Sequence, residues 1–485
     1  MASARRSDHT AVSPVMEALA RYLAAAGRAP LPRDVAEKTK HHILDTLAAM
    51  VSGSTLAPGR MAVSFAASQG GRKEASIAGT RLLTSAIVAA LANGMTAHAD
   101  ETDDSHQPAF YHPGCAIIPA ALAIGERGDA SGRALLRAVA LGYDIGSRFN
   151  FALGAMRFHL AGHSTHSFGA LFGAAAAAGS MIALRPEGMR HLLSYTAQQA
   201  SGVSCWMRDA AHVEKAFDFG GMPARNGVTA ALMVAHGMTA VDDVLAGERN
   251  FLFAFGAEER AEALTDGLGV RYEILNANIK KWSVGSPIQA ALDSVQALMV
   301  GQQLQAQALT RLTVEVQNHE AAIVDNRSMP DICLQHLVAV LLLDGSLTFA
   351  SSHDTRRMAD AKVRAVRRRI HLVGSSELTA RGGRQAIVTA DLADGTRLRH
   401  HTAAVRGTPA NPMTRADVQE KSLDLLAPVL GAARARRLVE AIWQLERLAS
   451  VRELRTLLVP SATARAGGAA QHRPGGQRRG SRRVA

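Results

Sequence analysis

Over its first three hundred residues the chain spaces apolar and polar positions with a helical period. After Pro32, residues Ile43, Leu44, Leu47, Met50 and Val51 recur at i, i+1, i+4, i+7 and i+8, which is one helical face. A first helix opens at Pro14 (PVMEALARYLAAA), where proline's fixed φ suits the first turn. Alanine-rich stretches at 83–98, 115–126, 131–146, 167–184, 187–201, 222–236 and 286–301 predict further helices, whose small side chains permit close approach. Beyond Thr310 the period falls to two. RLTVEVQ (311–317), VRAVRRRIHLV (363–373) and the pair flanking Asp394-Gly395 read as strands and a hairpin. A helix at 331–343 interrupts them, and two more, 416–429 and 431–446, follow the GTPANPMT segment.

This pattern predicts a mainly α protein. A large all-helical domain forms from both chain ends, 13–276 and 408–458, with a smaller α/β domain inserted at 277–407. Residues 1–12 and 459–485 carry no period and read as disordered ends by composition.

Charge sharpens the picture. The formal net charge is +12, but residues 461–485 hold +6 of it and residues 351–370 another +5, so the rest of the chain is nearly neutral. That distribution argues against a protein that coats nucleic acid, and the tail lacks aromatic residues for base stacking. At 47% hydrophobic and 20% charged, the chain can bury a large core. Cys115, Cys205 and Cys333 are far apart and form no C-x-x-C pair, which predicts a reducing, cytoplasmic setting and neither a disulfide framework nor a cysteine zinc site. The start, MASARRSDHT, lacks the apolar centre of a secretory signal. The longest uncharged run, 167–184, is mostly alanine and glycine and reads as a tightly packed buried helix, not a membrane span.

Four polar clusters interrupt the apolar helices. HADETDDSHQPAFYHPG gathers His98, Asp100, Glu101, Asp103, Asp104, Ser105, His106 and His112 just after a helix. Acids there oppose the helix macrodipole, and acids beside histidines supply the unlike pKa values that acid/base chemistry needs. In RFHLAGHSTHSFG, His159, His163 and His166 stand at i, i+4 and i+7. On one continuous helix they could ligate a metal, whereas Gly162 and Ser164-Thr165 favour a loop and cap that presents one catalytic histidine beside an anion-binding helix start. HVEKAFDFGGMPARNGV sets Lys215, one of only eight lysines, in a largely apolar stretch before a Gly-Gly turn. NANIKKWSVGSP carries Lys280 and Lys281 ahead of a helix. No G-x-G-x-x-G or Walker pattern lies between a strand and a helix.

In order and spacing, NGMTAHADETDDSHQPAFYHPG, GHSTHSFGALFGAAAAAG, KAFDFGGMPARNGV and RGTPANPM resemble the MmgE/PrpD family, over about residues 12–455. The resemblance implies a helical domain with an α/β lid, a homodimer, no metal and no organic cofactor. It places the family's acid, hydroxyl and histidine on Glu101, Ser105 and His112, with Asp104 between them, the histidine before the Gly-Ala helix on His163, and the pocket lysines on Lys215 and Lys280. Glu101 replaces the usual aspartate and Ser105 the usual threonine, and Lys215 lies one residue further than usual from its glycine. Gly285 stands where cis-aconitate decarboxylase carries a histidine, which counts against that activity.

The family's reactions share a carbanion or enolate next to a carboxylate. The expected function is a cofactor-independent dehydratase (hydro-lyase) acting on a small hydroxy-polycarboxylate such as 2-methylcitrate. In it His163 or His112 moves the proton, Lys215 and Lys280 bind carboxylates, and Glu101, Asp104 and Ser105 orient the histidines and assist hydroxide departure. An epimerase, isomerase or decarboxylase of a related di- or tricarboxylate would use the same site. A metal-dependent hydrolase built on His159, His163 and His166 is the reading from another class.

Overall fold

The computed structural model describes residues 12–460. The tail assigned to 459–485 and the leading residues therefore lie almost wholly outside the described part.

The protein is mainly α-helical, and its helices begin where side chains can satisfy the free N–H groups of a first turn. Ser13 accepts from Met16 N, Ser85 from Val88 N and Ser131 from Ala134 N, while Thr414 and Asp417 form a reciprocal capping box. The Arg33–Gly53 helix buries Ile43, Leu44 and Leu47 against Leu425, Leu426 and Leu438 of the Arg415–Leu430 and Ala432–Trp443 helices. Both ends of the chain thus share one core. Each such leucine removed from water contributes about 1.5–3 kcal/mol. The Thr165–Ile182 helix, which holds most of the long uncharged run, is buried among its neighbours, and no helix among the described residues is long and apolar enough to cross a membrane.

Residues between Trp282 and Val405 build a separate core around Val314, Val316, Val388, Leu337 and Leu341. Its sheet runs Ile370–Ser375, Leu309–Gln317, Ala386–Leu392, Arg397–Thr402. The first pair is parallel (Val314 opposite Leu372) and the other two are antiparallel (Val314 opposite Val388, Thr389 opposite Arg399). We refer to this unit as the lid.

One expected strand is half wrong. Only Ile370–Ser375 is extended; Ala361–Arg367 is a helix. Asp360 caps it, its Oδ1 accepting from Lys362 N at 2.7 Å and Val363 N at 3.1 Å, and Val363 and Val366 fall on one buried face at i, i+3.

Candidate active site

The Ala86–Ala97 helix ends at His98, and residues 98–113 lead into the Gly114–Gly128 helix. This connection is irregular yet mostly buried, so its polar groups need internal partners. Asp103 is fully buried and accepts from two imidazoles on one oxygen. Its Oδ1 lies 3.0 Å from His98 Nδ1 and 3.1 Å from His112 Nδ1, while Oδ2 has no hydrogen-bond partner among the described residues. A carboxylate at Nδ1 fixes the His112 tautomer and leaves the Nε2 lone pair free to take a proton.

Glu101 forms the charged half of the site. Lys215 Nζ contacts its Oε1 directly, Lys280 Nζ lies 3.8 Å from its Oε2, and Lys280 also donates to the Glu101 carbonyl at 2.6 Å. His212 Nδ1 approaches to 4.0 Å from the other side. His212 holds a left-handed backbone (φ 60°) immediately before the Val213–Ala216 helix, a conformation histidine tolerates better than most side chains.

Aromatic packing sets these groups in place. Phe219 stacks flat on His98 (4.4 Å between ring centres) and on His166 (3.8 Å), and Lys215 Nζ sits 5.2 Å from the Phe219 ring centre and 5.4 Å from that of Trp206. Phe219 belongs to a π-helical turn, Phe217–Gly221, that lies against the Ala86–Ala97 helix backbone to backbone. A Cβ on Gly220 would stand 2.1 Å from Gly94 O, and one on Gly94 2.4 Å from Gly220 O. Only glycine at both positions permits that crossing.

Burial and charge divide the protonation states. Burial pulls His112 down to about 4 against the opposing charge of Asp103, and burial with Lys215 pulls His212 to about 3. His166 is also held well below the usual imidazole range, first by burial and then by its cationic neighbours. Burial would raise the carboxyls of Glu101 and Asp103, but Lys215 and Lys280 around the first, and His98 and His112 around the second, hold both well below the usual range. At neutral pH the site offers neutral imidazoles beside ionised carboxylates and two lysines.

The residues named from sequence separate into two groups. Glu101, His112, Lys215 and Lys280 come together. Ser105 joins them through its backbone, exchanging hydrogen bonds with Asn278 (3.0 and 2.7 Å), and its hydroxyl is buried without a partner among the described residues. Asp104 faces the other way, accepting from His42 Nδ1 at 2.6 Å, Tyr143 OH at 2.5 Å and Gly114 N at 2.9 Å. His163 stacks on Phe158 (4.2 Å) beside Phe255, and it is His166 whose ring lies 5.4 Å from that of His112. Sequence reading passed over Asp103 as the bridge, His98 and His212 as its neighbours, and the lid residues Asp331 and His353. The signal for Asp103 and His98 was the crowding of acids and histidines at 98–112, and for His212 its place beside Lys215; for the lid pair there was none.

His159, His163 and His166 do not converge, since their rings pack on Phe110, Phe158 and Phe219 respectively. Among the described residues, two other triads bring donor atoms within 4.8 Å of one another, His98/Asp103/Cys115 and His98/Glu101/His212. In each, the acid already serves protein cations or imidazole N–H groups. A cleft of about 680 Å³ runs along the seam between lid and helical domain. It touches the site through Phe110 and Asn278, and Arg384 in its wall feels the charge of Glu101, whereas Lys215, Lys280, His112 and His212 do not line it.

A buried acid–imidazole dyad beside a lysine pair, carried on a helical domain closed by an α/β unit, is equipment for handling carboxylates. The MmgE/PrpD N-terminal domain matches residues 17–264 and the MmgE/PrpD C-terminal domain residues 282–447, so the chain belongs to the MmgE/PrpD family. Similar proteins include the cis-aconitate decarboxylase-like protein oryM of Aspergillus oryzae, 23% identical over 93% of this chain and 98% of that protein. The cis-aconitate decarboxylase of Homo sapiens is 24% identical over 87% and 90%, and that of Aspergillus terreus 25% identical over 60% and 61%.

Proposed function

We propose that the protein is a cofactor-independent lyase that forms a carbanion next to a carboxylate of a small di- or tricarboxylate, with dehydration of a hydroxy-tricarboxylate such as 2-methylcitrate as its reaction. The carrying observation is the Asp103–His112 dyad set beside Lys215 and Lys280. In this reading the neutral Nε2 of His112 takes the proton from carbon. The lysines, now shared with Glu101, bind the substrate carboxylates and spread the developing charge. The C–O bond then breaks, the departing hydroxide takes a proton from the Lys215 ammonium, and water leaves. Ser105 Oγ, unpartnered and buried, supplies a donor to the hydroxyl or carboxylate.

Decarboxylation is the second reading, favoured by the names of the similar proteins. There the C–C bond to a carboxylate breaks, its electron pair stays on carbon, CO₂ leaves, and the Lys215 ammonium delivers the proton to carbon. A homodimer in the cytoplasm accompanies either reading.

Purified protein incubated in D₂O with 2-methylcitrate, citrate and cis-aconitate separates these outcomes by proton NMR. Dehydration turns the methyl doublet of 2-methylcitrate into the singlet of an alkene-bound methyl, or gives a vinylic proton from citrate, without loss of CO₂. CO₂ release from cis-aconitate selects the decarboxylase, and deuterium entry without net water loss selects an epimerase. Inertness toward all three substrates contradicts the substrate class.

A further inference from the structure

The lid reaches the site through a side chain to which the proposed chemistry gives no role. His353 lies at the C-terminal end of the short Phe349–Ser352 helix, yet its Nε2 stands 2.8 Å from Asp100 Oδ2 and 3.9 Å from Asp331 Oδ2. Its Nδ1 is 2.8 Å from the Phe349 carbonyl, which can only accept, so Nδ1 carries a proton. A carboxylate at Nε2 calls for a second proton there, which makes the ring an imidazolium. Asp100 in turn closes a tight turn, accepting from Thr102 N at 3.1 Å and Thr102 Oγ1 at 2.5 Å. The residue inside that turn is Glu101.

We propose that His353 is a positioning residue: carried on the lid, its imidazolium clamps Asp100 and so fixes the turn that aims Glu101 between Lys215 and Lys280.

Three acids stand around this ring and the short helix that carries it. Asp100 comes from the site loop and Asp331 from the segment before the Leu334–Asp344 helix. Only these two are close to the ring; the third acid, Asp424 on the Arg415–Leu430 helix, holds the start of the Phe349–Ser352 helix by accepting from Phe349 N at 2.7 Å. On the site side, the charge of Asp100 also acts on His212. Without a cation between them, Asp100 and Asp331 would confront each other as like charges across the domain seam. Burial opposes charging His353, but the Asp100 carboxylate 2.8 Å from its Nε2, with Asp331, raises it to about 9. Because that value lies above the ordinary imidazole value of about 6.5, the clamp's stabilisation is fully present below about 6.5 and fades as pH rises through about 9. A second tether, Lys280 Nζ to the Glu101 carbonyl, holds the same turn from the segment that leads into the lid.

The clamp rests on the site reading for its purpose only, and it can be tested without turnover. In the full chain labelled with ¹³C-histidine, the resonance missing from His353→Gln should titrate near 9 and fall by at least about one unit in Asp100→Asn. Amide exchange in residues 98–104, expressed as protection factors, should be roughly ten- to a hundredfold faster in His353→Gln at pH 7, the scale of one lost ion pair at a largely buried site. His353→Lys, which keeps a cation, should recover part of that protection. A wild-type midpoint between 6 and 7, or wild-type protection in His353→Gln, overturns the proposal. If His353→Gln does not fold, the same resonance, identified in His353→Lys, still tests it through Asp100→Asn.

Discussion

Asp103 and Asp104 are adjacent, both fully buried, and each holds imidazole groups, yet they serve opposite sides of the loop. Asp103 faces the Lys280 side, where it bridges His98 and His112 and keeps one oxygen unpartnered among the described residues. Asp104 faces the scaffold, where His42, Tyr143 and the first amide of the Gly114–Gly128 helix use both of its oxygens. A Cβ on Gly114 would stand 2.8 Å from Asp104 Oδ1 and 2.8 Å from Tyr143 OH, so the scaffold side has no spare room. The difference teaches that an unfilled hydrogen-bonding capacity, more than burial or charge, separates a carboxylate free for chemistry from one already used to hold the backbone.

Substitutions that break the two sides should fail in different ways. His112→Ala is expected to lower turnover by about 10²–10⁴, the usual worth of a general base, while changing stability by only about 1 kcal/mol. Turnover assays beside urea unfolding check both halves. Asp104→Ala should do the reverse and destabilise the fold by about 3–5 kcal/mol, because three buried donors lose their acceptor at once. A urea midpoint close to wild type would place Asp104 outside the scaffold.

Protonation sharpens the contrast. Burial holds His42 at about 4, against an unfolded value of about 6.5. Between those values the unfolded chain binds more protons at this residue, so its contribution to stability rises with pH across that window. Relative to wild type, His42→Gln should therefore look less damaging at pH 4.5 than at pH 7, and an equal penalty at both would contradict the burial of a neutral ring. The smallest effect is expected at His163, whose replacement by alanine should leave turnover within roughly threefold, about 0.6 kcal/mol. His166→Ala should cost more than that, and the reverse ranking would restore His163 to the site.

Much of the fold was legible because its cause is local. Alanine-rich stretches and the prolines at 14 and 32 announced the helices, and the change of period after Thr310 announced the sheet. The segment 361–367 misled because arginines between valines mimic alternation, although Asp360 as a cap and the i, i+3 pair Val363/Val366 carried the correct signal. In the site, Glu101, His112, Lys215 and Lys280 were found through motif order. The roles of Asp103 and Asp104 were not, since neighbouring residues in an irregular loop have no period to tell which face each takes. His163 and His166 were unresolved for a related reason. The helix begins at Thr165, and Ser164, which would ordinarily cap it, gives its hydroxyl to Asp218. Asp331 and His353 reach the loop only through the closure of one domain on another, which no local pattern encodes.

The most direct test of the central claim, that the Asp103–His112 dyad moves the proton, is a comparison in D₂O of wild type, Asp103→Asn and His112→Ala with 2-methylcitrate, citrate and cis-aconitate. Wild type should turn over at least one of these acids, Asp103→Asn should be slower by about ten- to a hundredfold, and His112→Ala by about 10²–10⁴. Turnover by folded His112→Ala at the wild-type rate would contradict the claim.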